Sequence, residues 1–172
     1  MLSIAPLLLA ATLFAPAAPF EPLTENAVLE APTRRIRSTD ASMRKLLRQG
    51  FRESRTFADL IARLQRSDVI VYVEEVPRLP GALEGRMMML PRVYDHRYVR
   101  IQIALRGSPE DSIAVLGHEL HHAVEVADAL DVHDNAGLAR LYQRIGLRRG
   151  THLYDTAGAQ DAGRMIRREL NL

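Results

Sequence analysis

Apolar residues recur at three- and four-residue intervals early in the chain, at alternate positions in its middle, and at helical spacing again over its last third. After Ser38-Thr39-Asp40, Met43, Leu46 and Leu47 share one face of an expected helix, and Gly50 stands where a C-cap would close it. A second helix is expected from about Thr56, with Thr56 and Asp59 as a capping pair. It would bury Phe57, Leu60, Ile61 and Leu64 and end near Arg66. Beyond Ser67 the period falls to two. Residues 69–73, 87–90 and 98–105 read as three short strands; turn formers separate the first two, and a loop carrying Asp95 and His96 precedes the third. The Met87-Met88-Met89 run reads as core filling.

The next segment returns to helical spacing with a well-marked start. Ser108 suits the N-cap and Pro109 the first turn, while Glu110 and Asp111 place negative charge at the positive end of the helix dipole. Ile113, Leu116, Leu120, Ala123, Val124 and Ala127 then form an apolar stripe, with His118, His122 and Glu125 on the neighbouring stripe. The helix is expected to reach about Leu130. Residues 131–135 break the pattern, residues 136–145 form a further helix ended by Gly146, and 147–153 make a polar connector. Residues 154–159 lead into a last helix with Met165, Ile166 and Leu170 on its inner side. The expected architecture is α+β, a short sheet of about three strands packed on the histidine helix and on further helices, with no internal repeat.

Length and composition narrow this picture. A chain of 172 residues, 47% hydrophobic and 26% charged, suits one globular core, expected over residues 34–172. Of its 23 basic residues only Lys45 is a lysine, and the net charge is +2, which does not suggest nucleic-acid binding. The first two helices are basic, read as a solvated outer face or, more sharply, as a weak contact with an anionic surface. Cysteine is absent, so neither disulfides nor thiolate ligands are available. Residues 1–17 are apolar and end in Ala15-Pro16-Ala17, as in a secretory signal peptide cleaved before Ala18, although no Lys or Arg opens them. Residues 18–33, rich in Pro and Ala, read as a disordered leader. The expected location is periplasmic or secreted, with no stable membrane insertion after cleavage.

The histidine helix carries the candidate chemistry. His118 and His122 lie one turn apart, so both imidazoles leave the same face and can share one metal ion; Glu119 leans toward the same cavity, where a carboxylate can take a proton from a metal-activated water. A catalytic zinc takes three protein ligands, so a third must come from elsewhere. Glu125 is too far along a straight helix to join the two histidines and is read as a partner orienting His122 or His121. Asp128 would need the helix to turn sharply. Asp155, at the start of a later helix, could approach from across a cleft, with His133, His152 and Asp161 as competitors.

Residues 98–126, a strand followed by Gly117-His118-Glu119-Leu120-His121-His122, resemble the core of the zincin metallopeptidases, in which an edge strand lies beside an HExxH helix. Asp155-Thr156-Ala157-Gly158-Ala159 is similar to the E-x-x-A-D segment of gluzincins, with Asp155 replacing the glutamate ligand and Ala159 the aspartate. The resemblance implies a minimal zincin-like domain in which His118, His122 and Asp155 hold Zn²⁺. It implies that Glu119 serves as general base in peptide or amide hydrolysis, with Tyr154 or His152 as oxyanion donor. With that chemistry implied, the strand 98–105 could pair with an extended peptide substrate. The alternative is a secreted, non-catalytic metal-binding or degenerate zincin module acting in protein or surface contact.

Overall fold

The computed structural model describes residues 35–148 and 154–171. In chain order the elements are β1 (Ile36–Arg37), α1 (Ala41–Glu53), α2 (Arg55–Gln65), β2 (Val69–Glu75), a short turn of 3₁₀ helix (Pro80–Ala82), β3 (Gly85–Val93) and β4 (His96–Ile103). They continue with α3 (Pro109–Asp128), α4 (Asn135–Ile145), β5 (Leu147–Arg148), β6 (Tyr154–Asp155) and α5 (Ala157–Glu169). The fold is α+β, as the patterning predicts. The expected leader segments, residues 1–17 and 18–33, lie outside the described residues, as does His152.

The main sheet has the order β1-β2-β4-β3, with β1, β2 and β4 parallel and β3 antiparallel to β4. Val71, Val73, Val99, Ile101 and Ile103 bury one face against α1, α2 and α3, with α5 packed outside on α2 and α3, while Tyr72 and Tyr98 stack on the other face with centroids 6.3 Å apart. Four strands replace the expected three because β1 is too short to show an alternation. The strand expected to receive a peptide is corrected too: β4 is hydrogen-bonded to β2 on one side and β3 on the other, so among the described residues the outer strand on that side of the sheet is β3. Alternation reveals that a strand is half-buried, not its rank in the sheet.

Two helix ends also differ. Gly50 does not cap α1 but lies buried inside it, where a Cβ would come within 2.9 Å of Ile113 and Phe57. Its glycine serves a close helix approach. α2 is capped by Ser54, whose hydroxyl accepts from the Phe57 N–H, while Thr56 donates to Glu169 of α5. Residues 92–97 contain a tight turn at Tyr94, φ 53°, and His96 already belongs to β4.

Arg97 anchors the histidine helix to the sheet. Its side chain, 1% exposed, grips Asp68 with Nε and Nη2 at 2.8 and 2.6 Å, and Nη1 donates to the carbonyls of Val126 and Ala129, both at 2.7 Å. A fixed cation thus satisfies carbonyls at the end of α3 where the helix dipole is negative. Arg97→Met should lower unfolding free energy by about 3–5 kcal/mol, because it leaves Asp68 and these carbonyls without their partner. Arg97→Lys should recover only part of that, since a single ammonium cannot form the fork. Urea unfolding followed by circular dichroism checks both, and a loss below about 1 kcal/mol for Arg97→Met would contradict the anchoring role.

Candidate metal centre

α3 begins as expected, with the Ser108 hydroxyl accepting from Asp111 N–H at 3.1 Å and the Asp111 carboxylate reaching back in a capping box. With the start fixed, Ile113, Leu116, Leu120, Ala123 and Val124 all enter the core, and the histidine stripe turns toward α5. Gly117 permits the approach: a Cβ there would lie 2.1 Å from Ile166 Cδ1 of α5. On α5, Gly163 faces the Ala114 carbonyl and His118. The two helices therefore meet almost backbone to backbone.

That contact carries Asp155 to the histidines. His118 Nε2 lies 3.4 Å from Asp155 Oδ1 and His122 Nε2 lies 3.9 Å from the same oxygen. One ligand atom from each of the three residues falls within 4.8 Å of the others. Donors bound tetrahedrally at about 2.0–2.1 Å from one ion stand about 3.4 Å apart, so a small inward adjustment would fit this donor set to zinc. Asp155 leaves β6, held by the β5 pairing of Leu147 with Asp155. Its carboxylate accepts from Thr156 N–H at 2.8 Å and from Gln160 at 3.0 Å.

Glu125 does not join the three; it orients one of them, His122. Its Oε2 lies 2.8 Å from His122 Nδ1, its Oε1 accepts from the Thr156 hydroxyl at 2.5 Å, and His121 Nε2 stands 3.6 Å away. A proton on Nδ1 facing this carboxylate leaves Nε2 of His122 as the atom directed at Asp155. Of the competing ligands, Asp128 pairs with Arg63 at the surface, Asp161 pairs with Arg164, and His133 is exposed. His152 and the side chain of Tyr154, the expected oxyanion donors, lie outside the described residues. Tyr142 of α4 was not singled out by the sequence: its ring packs edge-on against His122 at 5.3 Å. Only its place on the apolar face of an amphipathic helix could have marked it, and that signal says core.

Glu119 is 6% exposed and, with His118 and Asp155, lines a cleft of about 370 Å³ bounded on the other side by Leu83, Glu84 and Gly85. A Cβ on Gly85 would lie 2.6 Å from Glu119 Oε1, so glycine at the start of β3 leaves room for the carboxylate. Burial lifts the Glu119 carboxyl to about 7, with His122 opposing and Asp155 adding to the rise. Burial also pulls His118 down to about 4, assisted by His122 and resisted by Asp155 and Glu125. At His122 burial acts downward, but the hydrogen bond to Glu125 and the surrounding carboxylates outweigh it and raise the imidazole. At Glu125 burial acts upward and is overcome by hydrogen bonds from His122 and Thr156.

Comparison of the chain with protein-family models, with curated proteins and with solved structures finds no match.

The raised Glu119 carboxyl gives a test of the geometry in metal-free protein. The folded state keeps a proton that the unfolded chain releases above about 4.5, so this group's stabilising contribution is complete below that pH and is lost as pH rises through about 7. Glu119→Gln removes the dependence. After chelation, the stability of Glu119→Gln relative to the parent should rise between pH 5 and pH 8 by up to about 3 kcal/mol. Parallel denaturation profiles at the two pH values would contradict the burial of this carboxylate.

Proposed function

We propose that the protein is a zinc-dependent peptide or amide hydrolase of zincin type. The observation that carries this reading is the convergence of His118, His122 and Asp155 within 4.8 Å, with His118 and Asp155 on the wall of a cleft that also holds the buried carboxylate of Glu119. A site that only stored a metal has no use for a buried base beside its ligands. Bound there, zinc would supply a Lewis acid that polarises a carbonyl and makes water more acidic.

The chain's own groups account for the rest. Glu119 takes a proton from water as the water oxygen attacks the carbonyl carbon, and returns it to the leaving amine as the C–N bond breaks. A buried carboxyl raised to about 7 is matched to both directions of that transfer near neutral pH. Glu125 holds the His122 ring, and Thr156 holds Glu125. The outer edge of β3 passes Glu119 at Gly85, where an extended peptide can take main-chain hydrogen bonds. With its apolar N-terminal stretch read as a secretion leader, the protein would act in the periplasm or outside the cell. Among the described residues no helix is long and apolar enough to cross a membrane.

Protein purified without added zinc should contain about one zinc per chain by elemental analysis. Glu119→Gln should keep the metal and lose about 10²–10⁴-fold in hydrolysis of an unstructured polypeptide. Full activity in Glu119→Gln would refute the base assignment. Metal without hydrolysis by the parent would instead favour a non-catalytic metal-binding module. Asp155→Ala should lower zinc occupancy well below that of Glu125→Ala; the reverse order would make Glu125 the ligand.

A further inference from the structure

Tyr142 carries a buried polar atom that the chemistry described so far does not use. α4 is fixed to the sheet at its first residue, Asn135, whose amide accepts from the Met89 N–H at 3.0 Å and donates to the Met89 carbonyl at 3.2 Å. At its other end α4 passes through Gly146 into β5, the strand paired with β6 and Asp155. Held at both ends, the helix presents Tyr142 to the metal centre. The residue is 8% exposed, its ring lies edge-on to His122 with centroids 5.3 Å apart, and its enclosed hydroxyl makes no hydrogen bond. An enclosed hydroxyl without a partner destabilises a fold, and phenylalanine would fill the same space without that cost.

The acceptor on offer is Glu125. Burial raises the phenol far above the ordinary tyrosine range, and the charges of Glu125 and Glu119 raise it further, with Glu125 close enough to act as a prospective acceptor. Tyr142 therefore keeps its proton to donate. Glu125 already faces His122 Nδ1 with Oε2 at 2.8 Å and accepts from the Thr156 hydroxyl with Oε1. A carboxylate offers about four lone-pair positions, which leaves room for a third donor. Tyr142 does not line the cleft that holds Glu119, so its hydroxyl is not placed to meet a substrate there.

We propose that Tyr142 is a positioning residue for the metal-bound state, its hydroxyl pairing with Glu125 when the His122 ring settles on a cation and fixing the carboxylate that holds that ring. The proposal rests on the metal ligands of the hydrolase reading and needs no hydrolysis. Of the two imidazoles, His122 stands farther from Asp155 Oδ1, at 3.9 Å against 3.4 Å for His118, so it has more adjustment to make. Glu125 is hydrogen-bonded to that ring and follows it. The hydroxyl is thus unpaired before the adjustment and paired after it. A tyrosine that served only as core would carry its unpaired hydroxyl in both states, and losing that oxygen would then leave metal affinity unchanged.

The test compares Tyr142→Phe with the parent, first after chelation and then with zinc alone as the ligand. Urea unfolding of the chelated proteins should show Tyr142→Phe at least as stable as the parent, because no hydrogen bond is lost. Zinc affinity, read by competition with a chromophoric chelator, should fall by about tenfold or more. Tyr142→Leu, which removes the ring as well, should lower both. In a Glu125→Gln background the further loss of affinity from Tyr142→Phe should shrink, since the acceptor has been changed. Unchanged zinc affinity in Tyr142→Phe, a loss of its stability after chelation, or additive losses in the double variant would overturn the proposal. A parent that binds no zinc would overturn it together with the metal centre; zinc binding without hydrolysis would remove the hydrolase reading and leave the role of Tyr142 standing.

Discussion

Everything in the site depends on how closely α5 can lie on α3. His118 and His122 are placed by the helix they share, but the third donor comes from another part of the chain and arrives only if the two helices almost touch. The absent side chain at Gly117 admits Ile166, and Gly163 sits over Ala114 and His118 without a side chain to hold the helices apart. The Thr156 hydroxyl, on the residue next to Asp155, then fastens the start of α5 to Glu125. Packing and ligand geometry are one constraint here: the hydrophobic contact sets the helix separation, and the separation sets the distance from Asp155 to the imidazoles.

The same closeness makes the centre electrostatically costly without a cation. Glu119, His122, Glu125 and Asp155 share a small, poorly solvated volume, and charges in such a place are tolerated only when paired. His118 answers by remaining neutral, which leaves its lone pair free; at His122 the hydrogen bond to Glu125 and the neighbouring carboxylates favour the protonated ring. A divalent ion would compete with protons for these ligands and take over the compensation, so its binding would strengthen as pH rises. The buried carboxylates are thus suited to a charged guest and pay for the arrangement in the metal-free state.

Local signals carried far in this sequence, and relational ones did not. Ser108-Pro109-Glu110-Asp111 announces the start of α3 because capping chemistry lies within four residues, and the histidine stripe follows from helical periodicity alone. Asp155 could be named as a candidate because it is a carboxylate at the start of a later helix, although His133, His152 and Asp161 competed with it; the structure brings its Oδ1 within 3.4 Å of His118 Nε2. Gly50 misled because a glycine inside a helix and a glycine ending one look alike until the neighbouring helix is known. The rank of β4 in the sheet was illegible for a similar reason: alternation describes a strand's faces and says nothing of its edges. Tyr142 and Asn135 gave no signal, one resembling core and the other a helix start, since their contacts with His122 and Met89 join distant segments.

On the zincin-type reading proposed above, glutamate and aspartate would be expected where Asp155 and Ala159 stand, and these distances bear on both. Asp155 is one methylene shorter than glutamate, yet from its place before the N-cap Thr156, on a strand pair rather than on the helix, its Oδ1 reaches within 3.4 Å of His118 Nε2. Two hydrogen bonds, from Thr156 N–H and Gln160, then fix which oxygen points inward. Ala159, where the pattern has an aspartate, is fully buried and offers no acceptor. The carboxylate that orients a histidine comes instead from α3 itself, three residues beyond His122, as Glu125. Where two helices pack this closely, either can supply the carboxylate that orients a given ring.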